Sequence, residues 1–106
     1  MLIIDGSGPN LVMRRYAHLL LERGGQFKLE LAPDEVMRDA GKEIWFPRIY
    51  MPDGTVFEFV LNKNMKKMKI ESIVGAIGIF RDLKQPTAIV PLVHPPLPWD
   101  RESGAG

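Results

Sequence analysis

The chain has 106 residues, is 45% hydrophobic and 25% charged, and carries a formal charge of +1. That balance suits one domain with its own core and argues against wholesale disorder and a globally basic surface. It has no cysteine, which excludes disulfides, thiolate metal sites and cysteine nucleophiles. No apolar run approaches the roughly 20 residues of a membrane-crossing helix. The N-terminus also lacks the apolar core and cleavage site of a secretory leader, so a cytoplasmic protein without a membrane partner is expected.

Residues 1–5 read as a short strand or a loose start. Gly6, Ser7, Gly8, Pro9 and Asn10 form a loop in which Ser7 or Asn10 can cap a following helix. The loop lacks the lysine and spacing of a phosphate-binding loop, and reads as an ordinary connection. In residues 11–23, Val12, Tyr16, Leu19 and Leu20 fall at helical spacing, and Gly24 and Gly25 stop the run. Residues 26–31 alternate, with Phe27, Leu29 and Leu31 on one side and Lys28 and Glu30 on the other, which predicts a half-buried strand. Residues 33–40 predict a short helix with Pro33 at its start, Asp34 and Glu35 in its first turn and Gly41 past its end.

The stretch from Ile44 to Leu61 predicts a β-hairpin. Pro52, Asp53 and Gly54 form its turn, with Gly54 as the left-handed residue. Setting Met51 opposite Thr55 pairs Tyr50 with Val56, Ile49 with Phe57 and Arg48 with Glu58. The same register continues to Pro47 with Phe59, Phe46 with Val60 and Trp45 with Leu61. Alternation then puts Trp45, Pro47, Ile49, Phe57, Phe59 and Leu61 on a core face. Phe46, Arg48, Tyr50, Val56, Glu58 and Val60 fall on the other face. A charge pair at its centre predicts that this face is open to solvent, and a one-residue slip would bury the charges.

Residues 70–83 carry two signals. As a helix, Ile70, Ile73, Val74, Ile77 and Phe80 form one stripe, and periodicity favours this. The β-branched content and the two glycines argue for a strand. Residues 87–93 predict a last strand interrupted by Pro91. Residues 94–99, rich in proline, predict an extended segment running into a flexible end.

The order from residue 26 is strand, helix, strand, strand, helix, strand. It predicts an α+β domain: a single antiparallel sheet with helices on one face, ferredoxin-like, with an extra N-terminal helix. Its edge strands would be those holding Pro47 and Pro91, where proline is tolerated. Residues 1–93 would form the domain and residues 94–106 a Pro-rich tail.

The strongest charge feature is Lys63, Lys66, Lys67 and Lys69, a cluster suited to phosphate contacts. On the open face, Phe46 and Tyr50 flank Arg48, an arrangement able to stack and contact unpaired bases. Residues 54–61 invite comparison with the RNA-recognition-motif signature at Gly54, Phe57, Phe59 and Val60. They depart from it at Asp53 and Glu58, and the register turns both phenylalanines inward, so the chain is not assigned to that family. The tail offers Pro95, Pro96, Pro98 and Trp99 to an aromatic groove on a partner, or to its own domain. No nucleophile, base and orienting group assemble, His18 and His94 have no acid at metal-ligand spacing, and no cofactor is implied.

The expectation is therefore a non-enzymatic nucleic-acid-binding protein for single-stranded DNA or RNA, using the lysines with Arg48, Phe46 and Tyr50. The alternatives are a protein–protein interaction module, such as an inhibitor or adaptor, using the same face or the tail, and a homo-oligomeric assembly subunit, with a homodimer as one form.

Overall fold

A computed structural model describes residues 2–3, for which only the backbone is considered, and residues 10–61, 66–94, 97 and 99. Among the described residues, five strands form one mixed sheet: β1 (Leu2–Ile3), β2 (Asn10–Met13), β3 (Gln26–Leu31), β4 (Trp45–Tyr50) and β5 (Val56–Val60). Three helices accompany them: α1 (Ala17–Glu22), entered through a 3-10 turn at Arg14–Tyr16, α2 (Asp34–Ala40) and α3 (Ile73–Asp82). The strands lie in the order β1-β2-β5-β4-β3, with β2 parallel to β5 and the other neighbours antiparallel.

The α+β class and the single sheet are as expected, but the strand order is not the ferredoxin-like one and the sheet is not wholly antiparallel. The reason lies in α2. A seven-residue helix spans only about 10 Å, whereas the six residues of β3 run about 20 Å. Such a helix cannot carry the chain back along β3 for a parallel crossover, so β4 returns directly beside β3 as its antiparallel neighbour. The loop residues 4–9, which include the glycines of the first loop, lie outside the described residues.

The turn forms as its residues dictate. The Met51 amide donates to the Thr55 carbonyl at 2.8 Å, the Asp53 side chain accepts from the Thr55 amide at 2.9 Å, and Gly54 sits at φ +93°. Arg48 pairs with Glu58, Ile49 with Phe57 and Tyr50 with Val56. Beyond Arg48 the expected pairing stops. The Trp45 amide and carbonyl bond to Ile70 on the side away from β3, so Pro47, two residues on, points its missing donor the same way, toward β5. The strands part there. Residues 66–70 fill the gap: Leu61 bonds to Lys66, Met68 to Phe59, and Ile70 to Trp45. Pro47 is thus accommodated by a splay inside the sheet, where an edge position had been expected.

The core face follows the alternation from Trp45 to Phe59 but not past it. Leu61, expected inside, is 43% exposed, and Val60, expected on the open face, is buried, because beyond Arg48 and Glu58 the strands part and residues 66–70 come in beside β5. Phe27, Leu29, Trp45, Ile49, Phe57 and Phe59 are buried against Ala17 and Leu20 of α1 and Ala76, Ile79 and Phe80 of α3. Gly25, closing the turn after α1, has no room for a side chain: a Cβ there would lie 2.7 Å from Ile49 and 2.8 Å from the Leu20 carbonyl. The third helix does not share this face. α2 sends Met37 into a separate cluster with Ala32, Ile44 and Phe46.

Three local expectations are corrected. Residues 11–23 are not one helix: Val12 and Met13 are buried in β2, where pairing with Phe59 and Val60 outweighs helical spacing, and Leu19 is exposed. Residues 70–83 are helical from Ile73, capped by the Ser72 hydroxyl accepting from the Gly75 amide at 3.0 Å. However, the buried stripe is Ala76, Ile79 and Phe80, leaving Val74 82% exposed. Ala76 is fully buried in the core cluster beside Ile79 and Phe80. Residues 87–93 are not a strand. They form an irregular arm held by the Trp45 indole N–H, which donates to the Pro91 carbonyl at 2.7 Å.

Candidate interaction surface

On the face opposite α1 and α3, the outward residues of β3, β4 and β5 build a charged ladder. Arg48 donates to Glu30 at 3.0 Å and to Glu58 at 3.4 Å. Tyr50 donates its hydroxyl to the same Glu30 carboxylate. Lys67, brought in by the segment that fills the splay, pairs with Glu58 at 3.4 Å and lies 4.2 Å above the Phe46 ring. Lys28 lies 5.0 Å from the Tyr50 ring. Burial opposes ionisation of Glu30, but the hydrogen bonds from Tyr50 and Arg48 and the Arg48 and Lys28 charges outweigh it, holding its carboxyl below the ordinary value of 4.5. The bond to Glu30, followed by burial, pushes the Tyr50 hydroxyl above its ordinary value of 10.0.

This geometry distributes the residues singled out in the sequence unevenly. Arg48 and Tyr50 are adjacent but committed to carboxylates within the sheet. Phe46 is 6% exposed, buried by the α2 cluster, which corrects its placement on an open face. The alternation reading missed this because the covering group, Met37, comes from a helix whose own position depends on tertiary packing. Lys66, Lys67 and Lys69 are exposed, and Lys63 lies outside the described residues. Trp99 is half-buried against the α2 cluster, together with Val93, so the tail's tryptophan rests on its own domain. Pro95, Pro96 and Pro98 lie outside the described residues.

A second feature was not anticipated. The arm and the edge of β3, which has no backbone partner among the described residues, flank a cleft of about 340 Å³ lined chiefly by Phe27, Leu29, Phe80, Thr87, Ile89 and Pro91, with Lys28 and Glu30 also contributing. Ile89 is 74% exposed and the neighbouring Leu92 61%. Alternation in residues 87–93 carried part of this signal, since Thr87, Ile89 and Pro91 share one side. Nothing local showed that they would face β3 without pairing to it.

A second hollow, lined mostly by polar and charged residues, lies between the Arg14–Tyr16 turn, α1 and the end of α3. Its arginine Arg14 is paired to Asp82, and the His18 ring contacts the Arg15 carbonyl at 3.0 Å. Among the described residues, no group of three or more histidine, aspartate or glutamate side chains is placed to hold a metal ion. No helix among them is long and apolar enough to cross a membrane. Neither a family model, nor a curated protein, nor a solved structure matches this chain.

Proposed function

We propose that the protein is a non-enzymatic protein–protein interaction module working through the margin formed by β3 and the arm. The observation that carries this reading is the cleft itself. A sheet edge with no backbone partner among the described residues and an apolar arm flank the cleft, and apolar side chains of the arm stand in water. Extended segments of partner proteins are taken up at such edges by backbone hydrogen bonds, with alternate side chains supplying selectivity.

The nucleic-acid reading has less support. Its base-contacting group consists of Phe46, which is buried, and Arg48 and Tyr50, which are occupied by Glu30 and Glu58. Of the lysine cluster, Lys67 is likewise paired with Glu58, and Lys69 is exposed.

The test is a benzophenone-bearing residue placed at Ile89 of the full chain, with the same residue at exposed Glu35 as control, irradiated in the cells that produce the protein. Discrete protein adducts at position 89 that the control lacks are expected. No adducts above the control would overturn the reading. Tight, salt-sensitive anisotropy changes with single-stranded oligonucleotides would favour the nucleic-acid function in its place.

A further inference from the structure

The edge of β3 is complementary to itself. Ala32 donates its amide to the Ile44 carbonyl, and Trp45 bonds away from β3 to Ile70. These bonds fix the direction of every backbone group between them, because alternate residues of an antiparallel ladder point to opposite sides. Gln26, Lys28 and Glu30 therefore face Tyr50, Arg48 and Phe46 of β4, whereas Phe27, Leu29 and Leu31 present their N–H and C=O groups outward. Among the described residues, no backbone hydrogen bond joins this edge to any other segment.

A second β3 laid antiparallel on this edge must match outward residue with outward residue, which leaves three central registers. Centring on Lys28 sets two lysines opposite each other. Centring on Glu30 sets two glutamates opposite each other. Centring on Leu29 sets Lys28 opposite Glu30 of the second copy, twice, and pairs Phe27 with Leu31. In that register the lysine–glutamate pairs occupy the closely approached, non-hydrogen-bonded positions, where cross-strand side chains interact most strongly. Leu29 and both Phe27–Leu31 pairs then exchange backbone bonds.

We infer that β3 pairs with β3 of a second copy of this chain about a two-fold axis at Leu29, joining two sheets into one. This rests on the proposed interaction module and names its partner. The axis is perpendicular to the sheet, so the Thr87, Ile89 and Pro91 portions of both arms fall on the same side of the joined sheet. There, Ile89 of each copy covers the Phe27 and Leu29 side chains of the partner strand. Lys28 is exposed with its cation 5.0 Å from the Tyr50 ring, within reach of a carboxylate on an added strand.

The test uses the purified full chain in sedimentation equilibrium, with hydrogen exchange of the β3 amides. A dimer is expected, weakened about tenfold or more by Lys28→Glu, which turns two attractive pairs into two repulsive ones. Mixing Lys28→Glu with Glu30→Lys should restore association between the two variants, since every cross-strand pair is again opposite in sign. Lys28 is exposed, so its variant carries the test even if Glu30→Lys, which removes a partner of Arg48, folds poorly. In the dimer the Phe27, Leu29 and Leu31 amides gain protection with concentration and lose it in Lys28→Glu, while the Lys28 and Glu30 amides stay protected by β4. A monomer at millimolar concentration, or a dimer indifferent to Lys28→Glu, would overturn the inference. The first of these results, together with adducts at Ile89 to another protein, would leave the interaction module standing without self-pairing.

Discussion

The two faces of the sheet are held by different physics. Toward α1 and α3, Phe27 meets Phe59 and Phe80 edge to face at 5.7 and 5.0 Å, inside a continuous apolar cluster. On the other face a single guanidinium, 25% exposed, ties two carboxylates from neighbouring strands, and Tyr50 and Lys67 close the network. The first face supplies non-directional energy that would accept several registers of apolar residues. The second accepts only one, because a slip in either hairpin strand would separate Arg48 from Glu58. Burial holds the sheet together, and the half-buried charges say how its strands must line up.

Three measurements can break or sharpen that contrast. The largest effect is expected from Phe59→Ala, at the centre of the apolar face with no exposure. It should cost about 3–5 kcal/mol by urea unfolding, and a loss below ~1 kcal/mol would mean that the face is not the main source of stability. Arg48→Met should cost about 1–2 kcal/mol, less than a buried ion pair because solvent screens it. Its distinguishing sign is that Glu30 and Glu58 are left facing each other across β4, so added salt should recover part of the loss. A variant as stable as the parent at low salt would reduce the ladder to decoration.

The smallest effect is one of pH. The Glu30 carboxyl is lowered on folding, so its contribution is present above 4.5 and is lost as pH falls through its depressed value. The Tyr50 hydroxyl is raised, so its contribution is present below 10.0 and is lost as pH rises through the elevated value. Melting temperature should therefore sag at both ends, with Glu30→Gln flattening the acid side and Tyr50→Phe the alkaline side. Unchanged acid sensitivity in Glu30→Gln would assign that limb to other carboxylates.

What could be read from the residues was whatever short-range chemistry decides. The Pro52-Asp53-Gly54 turn, the three pairs nearest it, the β3 alternation and the α2 boundaries all follow from neighbours in sequence. What could not be read depended on distant partners. Val12 and Met13 are strand residues because β5 lies beside them. The buried stripe of α3 is Ala76, Ile79 and Phe80 and leaves Ile73 and Val74 exposed, a rotation set by where the sheet and α1 lie. At the candidate surface, the chemistry of Arg48 and Glu58 was legible as a pair, but the burial of Phe46 and the cleft beside β3 required knowing where α2 and the arm come to rest.

The splay at Pro47 has a consequence for the order of assembly. The turn end of the hairpin joins residues close in sequence, whereas its wide end is completed only when Ile70 bonds to Trp45 across the chain of β5 and the following loop. Local closure is cheap in entropy and fast, and distant closure is neither. The hairpin is therefore expected to zip from Met51 and Thr55 as far as Arg48 and Glu58 and then pause, held open by a residue that cannot donate. Pulsed hydrogen exchange during refolding should show the Met51 amide protected before those of Trp45 and Ile70, which should become protected together. Simultaneous protection of all three would mean that the proline shapes the finished sheet without staging how it forms.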